Sequence, residues 1–327
     1  MTKKKETLQL GTAPGDLATA GRMLAEGMLV AFPTETVYGL GADATDPDAI
    51  ARLYAAKGRP HFNPLIAHVA TPAEAERLAD LPPQARNLAT AFWPGPLTLV
   101  VPVKPDCPVC ELARAGLPSL AIRVPDHPVA RAILAAAGRP IAAPSANRSG
   151  RVSPSEAAHV AGDLDGIVDV IVDGGPCPIG VESTILGCLD GRVTLLRPGG
   201  LAREAIEAVL GHELEHSDSR DASAPLAPGR LSSHYAPAHR LRLDAAMIRP
   251  NEACLAFGPE LPAGATPERT LNLSPGGNTA EAAANLYGYL RRLDALPVDG
   301  IAAAPIPVEG LGEAIRDRLA RAAAPRP

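Results

Sequence analysis

The stretch that decides the fold is residues 32–69, FPTETVYGLGADATDPDAIARLYAAKGRPHFNPLIAHV. It places a Gly-rich turn after a short apolar run, then a helix-length segment, and then a loop, KGRP, that leads into another apolar strand. Lys57 and Arg59 stand on that loop, where a mobile ammonium and a planar guanidinium can bind a phosphate or a carboxylate. Thr34 and Thr36 precede the turn and offer hydroxyls to a small polar substrate. The stretch therefore predicts one half of a binding site.

The composition indicates a globular protein of two domains. The chain has 327 residues, more than one domain usually holds, and 46% of them are hydrophobic. A net charge of −5 and the lack of a basic, aromatic-rich stripe argue against a dedicated nucleic-acid binder. The N-terminus MTKKKETLQL has no apolar core behind its cations, and no apolar run reaches the length of a membrane span. Together with an odd count of five cysteines, this predicts a soluble, cytoplasmic protein.

Apolar runs alternate with helical patterns along the chain, which predicts a mixed α/β fold. The predicted strands cover residues 29–32, 65–69, 97–103, 121–124, 141–143, 167–172, 184–186, 193–196, 253–257 and 300–304. The predicted helices cover residues 47–56, 72–78, 83–92, 128–137, 154–160, 279–293 and 311–323, with Ser153 as the cap of the helix at 154–160.

The pattern breaks down between Gly211 and His239, where the chain is polar and has three prolines and no periodicity. Such a segment is typical of an interdomain linker. We therefore predict a larger α/β domain at 1–211, a linker at 212–239 and a smaller α/β domain at 240–327.

A second candidate loop lies at residues 142–150, AAPSANRSG, directly after a short predicted strand. It is rich in small hydrogen-bonding residues, as are loops that cradle phosphates. Ser145 and Asn147 are candidates for holding triphosphate oxygens, directly or through Mg²⁺. Capping of a strand–turn–helix connection explains the same residues equally well.

Three further candidates stand at or beside strand ends, namely Arg123, Ser183 within GVEST, and Arg197 before PGG. Each has a structural alternative: an ion-paired arginine, a turn, and a cation that ends a strand. Open α/β sheets bind their ligands at strand ends, so the coincidence of all three favours one site.

Several other chemistries are not supported by the sequence. There is no G-x-S-x-G elbow and no Walker A motif, and the C-x-x-C at residues 107–110 lacks the second pair of a zinc site. The candidate residues therefore suit positioning and charge neutralisation better than covalent catalysis.

Taken in order, the motifs closely resemble the threonylcarbamoyl-AMP synthase family over about residues 10–210. They are PTETVYGLG, KGRP with NPL and His68, FWPGPLT, AIRVPDHP, PSAN-SG, GVEST and LRPG. HYAP in the linker, followed by a small α/β domain, resembles the long form of the family. The resemblance implies a YrdC-like twisted mixed sheet around a deep basic cavity, plus a smaller Rossmann-like C-terminal domain.

The resemblance also implies the reaction: L-threonine, bicarbonate and ATP give threonylcarbamoyl-AMP and pyrophosphate, and a partner transferase then modifies tRNA. Mg²⁺ would be carried by the ATP phosphates, with no metal site of the protein's own. The implied threonine site is Thr36, His68, Arg123, Ala143 and Ser183. The implied ATP site is Arg59, Asn63, Ser119, Ser145, Asn147, Ser153, Arg197 and Tyr235, with Lys57 and Arg59 as the catalytic cations. The linker is expected to act as a lid over the nucleotide.

Two other functions fit parts of the sequence. One is a carbamoyltransferase related to the hydrogenase-maturation proteins, which share a YrdC-like domain but carry paired C-x-x-C motifs that this chain lacks. The other is a non-catalytic RNA-binding module, against which the acidic net charge and the Ser145–Asn147 loop weigh.

Overall fold

The structure, a computed structural model, describes residues 6–216 and 234–325. The strands of these residues are β1 Leu8–Leu10, β2 Val30–Phe32, β3 Gly39–Asp43, β4 Ile66–His68, β5 Leu97–Pro102, β6 Ser119–Arg123, β7 Ile141–Ala142, β8 Val170–Val172, β9 Thr184–Leu189, β10 Arg192–Arg197, β11 Glu215–His216, β12 Arg240–Arg242, β13 Glu252–Ala256, β14 Thr270–Asn272 and β15 Gly300–Ala303. The helices are α1 Pro14–Ala25, α2 Pro47–Lys57, α3 Pro72–Leu78, α4 Pro83–Phe92, α5 Glu111–Arg114, α6 Pro128–Ala137, α7 Ala157–Leu164, α8 Arg203–Leu210, α9 Thr279–Asp294 and α10 Gly312–Ala323, with a 3₁₀ turn at Pro267–Arg269. The predicted mixed α/β class is confirmed.

The first domain is built on a sheet of eleven strands in the order β1-β8-β2-β3-β7-β4-β6-β5-β9-β10-β11. Parallel and antiparallel pairs alternate irregularly: β4 runs parallel to β6, whereas β7 is antiparallel to both β3 and β4. The β4–β6 register places His68 beside Arg123. This arrangement brings motifs that are far apart in the sequence to neighbouring strand ends.

Helix α2 carries the chain from the first strands to the KGRP loop. Its start is capped by Asp46, whose carboxylate accepts the backbone N–H of Asp48 at 2.8 Å, and Pro47 occupies the first turn. Its end is fixed by Gly58, whose φ of 60° is the left-handed conformation common at helix ends. Lys57 is therefore the last helical residue, and Arg59 is the first residue of the loop that follows the cap.

The predicted Gly-rich turn is wrong, because Gly39–Asp43 forms the buried strand β3. A Cβ on Gly41 would lie 2.8 Å from a ring carbon of Phe32 and 3.0 Å from a methyl of Leu24, so this glycine permits close packing. The prediction also omits α1, whose buried face consists of small residues and Leu24 and therefore has a weak apolar periodicity.

The helix predicted at 154–160 is α7, which begins only at Ala157. Ser153 does not cap it, so that prediction is wrong. The hydroxyl of Ser153 instead donates to the carboxylate of Glu182 at 2.6 Å. A buried carboxylate accepts a stronger hydrogen bond than a helix terminus would offer the hydroxyl.

The second domain is a parallel sheet of four strands in the order β12-β15-β13-β14, with α9 and α10 packed together. Its core joins Ile301 and Leu255 of the sheet to Leu286 of α9 and Leu319 of α10. None of the helices in the described ranges is long and apolar enough to cross a membrane.

The two domains share a core and several ion pairs. Val37, Val152 and Val181 of the first domain belong to the same buried cluster as the second domain's core. Arg203 binds Glu313 at 2.6 Å across the junction, and Arg291 binds Asp163 at 2.7 Å. The second domain is therefore packed against the first through an apolar contact bordered by charge pairs.

The range predicted as the linker, 212–239, contributes to both domains. Strand β11, Glu215–His216, pairs in parallel with β10 and so extends the large sheet. Residues 217–233 lie outside the described residues, and the predicted lid falls mainly among them. From His234 onward the chain is described again, and Tyr235 packs into the shared core.

At Gly180 the backbone of the first domain lies close against α9, and its substitution tests the junction. A Cβ there would lie 2.3 Å from the carbonyl oxygen of Ala283 and 2.5 Å from the Cα of Ala284, both in α9. We expect Gly180→Ala to lower the free energy of unfolding by more than about 2 kcal/mol, because the α9 backbone has no room to move aside.

Gly175 provides the matched control, because its φ of 81° is close to the 76° of Gly180 while its Cβ position is open. Gly175→Ala should cost only about 1 kcal/mol, the strain of a left-handed alanine. Urea unfolding of the full chain measures both variants. Equal losses would contradict a tight junction at Gly180.

Candidate active site

One cleft of the structure gathers predicted candidates from seven of the motifs named above. It encloses about 470 Å³, part of it open to solvent. It is lined by Thr36, Val37, Arg59, Ile66, His68, Arg123, Ala143, Pro144, Ser145, Glu182, Ser183, Arg197, His234 and Tyr235. Nine of the predicted site residues are therefore in one place: Thr36, Arg59, His68, Arg123, Ala143, Ser145, Ser183, Arg197 and Tyr235.

Arg123 and the Thr34–Thr36 turn form one wall of the cleft. The hydroxyl of Thr34 donates to the carbonyl of Val37 at 2.7 Å and lies 2.8 Å from the hydroxyl of Thr36, which fixes the turn. Arg123 donates to Thr36 Oγ1 at 2.9 Å and to Glu35 Oε1 at 2.6 Å. Glu35 Oε2 is buried and has no partner in the described residues. The wall therefore combines an oriented guanidinium with a fixed hydroxyl.

His68 is a neutral group in this cleft. It is 2% exposed, and its Nδ1 lies 3.1 Å from the carbonyl oxygen of Ile66. Burial, together with the charge of Arg123, lowers the pKa of His68 to about 3. The imidazole can therefore donate or accept a hydrogen bond at neutral pH without adding charge.

Ser183 and Arg197 meet at the end of β10. The hydroxyl of Ser183 lies 2.8 Å from the hydroxyl of Thr98, and Arg197 donates to the carbonyl of Ser183 at 2.8 Å. Burial lowers the pKa of Arg197, yet a guanidinium with so high an ordinary value keeps its proton. This corner therefore offers a hydroxyl and a permanent cation to a ligand.

The two cations of the KGRP loop have different places: Lys57 supports a neighbouring loop, and Arg59 faces the cleft. Lys57 does not line the cleft, because its Nζ donates to the main-chain carbonyls of Ser145 and Asn147. The Asn147 side chain also turns to backbone carbonyls, those of Arg148 and Arg151. Lys57 and Asn147 therefore hold the loop that presents Ser145.

Arg59 does line the cleft, and it is held from behind by its own loop. Its NH2 group donates to the carbonyl of Pro64 at 3.1 Å, and its Nε approaches the carbonyl of Asn63 at 3.4 Å. Burial lowers the pKa of Arg59 to about 10, which leaves it charged at neutral pH. The loop therefore aims a fixed guanidinium into the cleft.

The three other predicted ATP residues, Asn63, Ser119 and Ser153, are buried but do not line the cleft. The side-chain oxygen of Asn63 has no hydrogen-bond partner in the described residues. Ser119 begins β6 opposite Pro102, and Ser153 is occupied by Glu182. Their contact with a nucleotide stays a prediction.

Sequence reasoning missed Glu182 and His234 as cleft residues, although both lie in quoted motifs, GVEST and HYAP. Burial alone would raise the pKa of Glu182, but Arg318 and Arg197, with a hydrogen bond from Ser153, lower it to about 2. Burial lowers the pKa of His234 to about 3, and its Nδ1 has no partner in the described residues. The sequence gives one indication that Glu182 belongs to the site: it is an acidic residue that stands beside Ser183, directly before the predicted strand at 184–186.

Comparison with known proteins shows the family. Residues 22–199 match the Sua5–YciO–YrdC family, described as "Telomere recombination", and residues 201–324 match "Threonylcarbamoyl-AMP synthase, C-terminal domain". The threonylcarbamoyl-AMP synthase of Bacillus subtilis (strain 168) is 44% identical, over 98% of this chain and 96% of that protein. The crystal structure of P. abyssi Sua5 complexed with L-threonine superposes with a TM-score of 0.87 at 38% identity, covering 97% of each chain.

The structure of E. coli YciO covers 60% of this chain and 96% of its own, with a TM-score of 0.52 at 20% identity, and so shares the fold of the first domain. The expected YrdC-like sheet is confirmed by this likeness. The matches to both domains extend over nearly the whole length of the relatives. The chain belongs to the threonylcarbamoyl-AMP synthase family, in the form that carries a C-terminal domain.

Proposed function

We propose that this chain converts L-threonine, bicarbonate and ATP into L-threonylcarbamoyl-AMP and pyrophosphate. The observation that carries the proposal is a single cleft with two unlike walls. On one wall, Arg123 donates a hydrogen bond to the hydroxyl of the protein residue Thr36. The other wall presents Arg59 and Ser145. The likeness to a structure complexed with L-threonine over 97% of the chain supports the same substrate here.

We assign the first wall to L-threonine. The guanidinium of Arg123 suits the substrate's carboxylate, and the hydroxyls of Thr36 and Ser183 suit its polar groups. Ala143 leaves room for a small side chain, and neutral His68 adds a hydrogen-bonding group without charge. A site of this kind rejects an analogue without the hydroxyl, because its buried polar groups would lose their partner.

We assign the second wall to ATP. Arg59 and Arg197 are cations that suit the triphosphate, and Ser145 stands on the loop held by Lys57. Tyr235 offers a ring for contact with the nucleotide. The predicted contacts of Asn63, Ser119, Asn147 and Ser153 belong to the same proposal and require movement of these side chains or contact through their backbone.

The residues then act by positioning and charge. Bicarbonate takes up a proton and loses water to give CO₂. The neutral threonine amine attacks this CO₂ and gives a carbamate, and the proton released balances the one taken up by bicarbonate. A carbamate oxygen attacks the α-phosphorus, the bond to the β-phosphate oxygen breaks, and pyrophosphate leaves. The carbamate and the triphosphate are anions that repel one another, and the guanidiniums of Arg59, Arg123 and Arg197 offset that repulsion.

Mg²⁺ fits this site as an ion that the nucleotide carries. The cleft offers guanidiniums and hydroxyls, which suit the phosphates of a nucleotide that carries the ion. Bound to the phosphates, Mg²⁺ would supply charge neutralisation for the leaving pyrophosphate.

We further propose that the product passes to a transferase that modifies tRNA, so that tRNA is an indirect partner. A cytoplasmic location agrees with this role, and all five cysteines are free thiols, as in a reducing compartment. The carbamoyltransferase and RNA-binding alternatives are not favoured, since the relatives of nearly full length are named threonylcarbamoyl-AMP synthases.

The reaction is tested by omitting its components one at a time. We expect pyrophosphate release with ATP, bicarbonate and L-threonine together, and a loss to background when any one is left out. L-valine, which has a methyl in place of the hydroxyl, should support less than about 1% of the rate. Pyrophosphate release that does not need threonine would contradict the proposed function.

Arg59→Met tests the assignment of the two walls. Losing a charged hydrogen bond to phosphate should raise the KM for ATP by about 10- to 100-fold and change the KM for threonine by less than about threefold. Steady-state kinetics with each substrate varied measures the split. Arg131→Met, at an exposed position of α6, is the control and should behave as wild type. An equal rise in both KM values would contradict the assignment.

A further inference from the structure

The Glu182 carboxylate lines the cleft, yet the second domain provides most of its hydrogen bonds. Arg318 of α10 donates through Nε to Oε2 at 2.7 Å. Tyr287 of α9 donates its hydroxyl at 2.9 Å from Oε2 and 3.1 Å from Oε1. From the first domain, Ser153 donates to Oε1 at 2.6 Å. The carboxylate is therefore fixed by donors from both domains.

The Arg318 guanidinium is completely buried and well satisfied. Its exposed fraction is 0%, and its remaining nitrogens donate to Asp317 at 2.5 Å and to the carbonyl of Pro198 at 3.0 Å. Its central carbon lies 5.0 Å from the centroid of the Tyr235 ring, in the geometry of a cation–π contact. Arg318 thus touches Glu182 and Tyr235, both of which line the cleft, without lining it itself.

Tyr287 makes the same connection. Its ring stacks on the Tyr235 ring with centroids 6.0 Å apart and 23° between the planes. Since Tyr287 also binds Glu182, one tyrosine and one arginine of the second domain support the same two cleft residues. From the first domain, the Ser153 hydroxyl donates to Glu182 and the charge of Arg197 also stabilises the carboxylate.

A Glu182 carboxylate without a cationic partner would weaken the binding of ATP to the cleft. At low effective dielectric constant a buried anion repels a triphosphate strongly, and a buried charge without its partner is costly. Arg318 binds Glu182 at 2.7 Å but does not line the cleft, so it offsets this charge without occupying the ligand's place.

We propose that Arg318, with Tyr287, is a positioning residue of the second domain that fixes the Glu182 carboxylate and offsets its charge so that the cleft accepts a polyanionic nucleotide. The inference deepens the proposed function and rests on it. It assigns the second domain a part in nucleotide binding, through a contact that joins residues 136 positions apart in the sequence.

Nucleotide binding should depend on pH through Glu182 when Arg318 is removed. The titratable and charged groups around Glu182 are Arg318, Arg197, Tyr235, Tyr287 and His234, with Asp317 beyond Arg318. With Arg318 present, the pKa of Glu182 is lowered to about 2, so the carboxylate is ionised throughout the neutral pH range. Without Arg318 the carboxylate loses the strongest of the charges that lower its pKa, so the pKa of Glu182 rises and acid should favour the neutral carboxylate and nucleotide binding.

The test measures binding of α,β-methylene-ATP to the full chain, without threonine, from about pH 6 to about pH 8.5. We expect Arg318→Gln to weaken binding roughly tenfold or more at the high end and to recover most of it at the low end. Tyr287→Phe should shift binding in the same direction by a smaller factor. Arg316→Gln, on the exposed side of α10, is the matched control and should bind as wild type.

The double variant Glu182→Gln/Arg318→Gln separates charge from packing. With both charges gone, its nucleotide affinity should return to within about threefold of wild type and lose the pH dependence. If Arg318→Gln does not fold, the double variant and Tyr287→Phe together provide the test in its place. A purely structural role predicts that the double variant binds no better than Arg318→Gln, at every pH.

Wild-type affinity in Arg318→Gln, or a weakened affinity that does not respond to pH or to Glu182→Gln, would overturn the inference. A different measurement, threonine-dependent release of pyrophosphate, tests the proposed function itself. If the wild type binds the analogue but releases no threonine-dependent pyrophosphate, the reaction is wrong while the binding test of Arg318 still stands.

Discussion

The buried contact between Glu182 and Arg318 is the interaction on which the rest of the structure depends. It joins a cleft residue of the large mixed sheet to helix α10 of the small parallel sheet at 2.7 Å. A pair this deeply buried contributes little net stability, but breaking it leaves a charge without a partner, so the pair fixes how the domains meet. The close approach of Gly180 to α9 and the apolar core shared by the two domains lie at the same junction.

The electrostatics of the cleft show a consistent division. Arginines supply its permanent positive charge, while burial keeps His68 and His234 neutral with pKa values of about 3. Among the described residues that line the cleft, the carboxylate is that of Glu182, and Arg318 offsets its charge. Neutral histidines avoid repelling a cationic amine, and fixed guanidiniums need no reorganisation as charge develops. This arrangement suits a reaction between anions better than covalent catalysis.

Much of the architecture could be predicted from local signals. Three helices that begin with proline, α3, α4 and α6, have the predicted bounds, because Pro at the first turn is a local cue. The same cue at Pro14 did not reveal α1, whose apolar periodicity is weak. Arg123, Ser183 and Arg197, which stand at or beside strand ends, lie in one cleft of the structure. Long-range partners could not be predicted: nothing near Lys57 shows that it binds the carbonyls of Ser145 and Asn147, and nothing near Glu182 points to α10. Such contacts depend on packing between distant segments.

The account is tested most directly by a structure of the chain with L-threonine and α,β-methylene-ATP bound together. It predicts threonine against Thr36 and Arg123, and the triphosphate against Arg59 and Ser145. Glu182 should keep its contact with Arg318 while both ligands are present. A nucleotide bound outside this cleft, or a Glu182 carboxylate released from Arg318 to contact the ligand, would contradict the account.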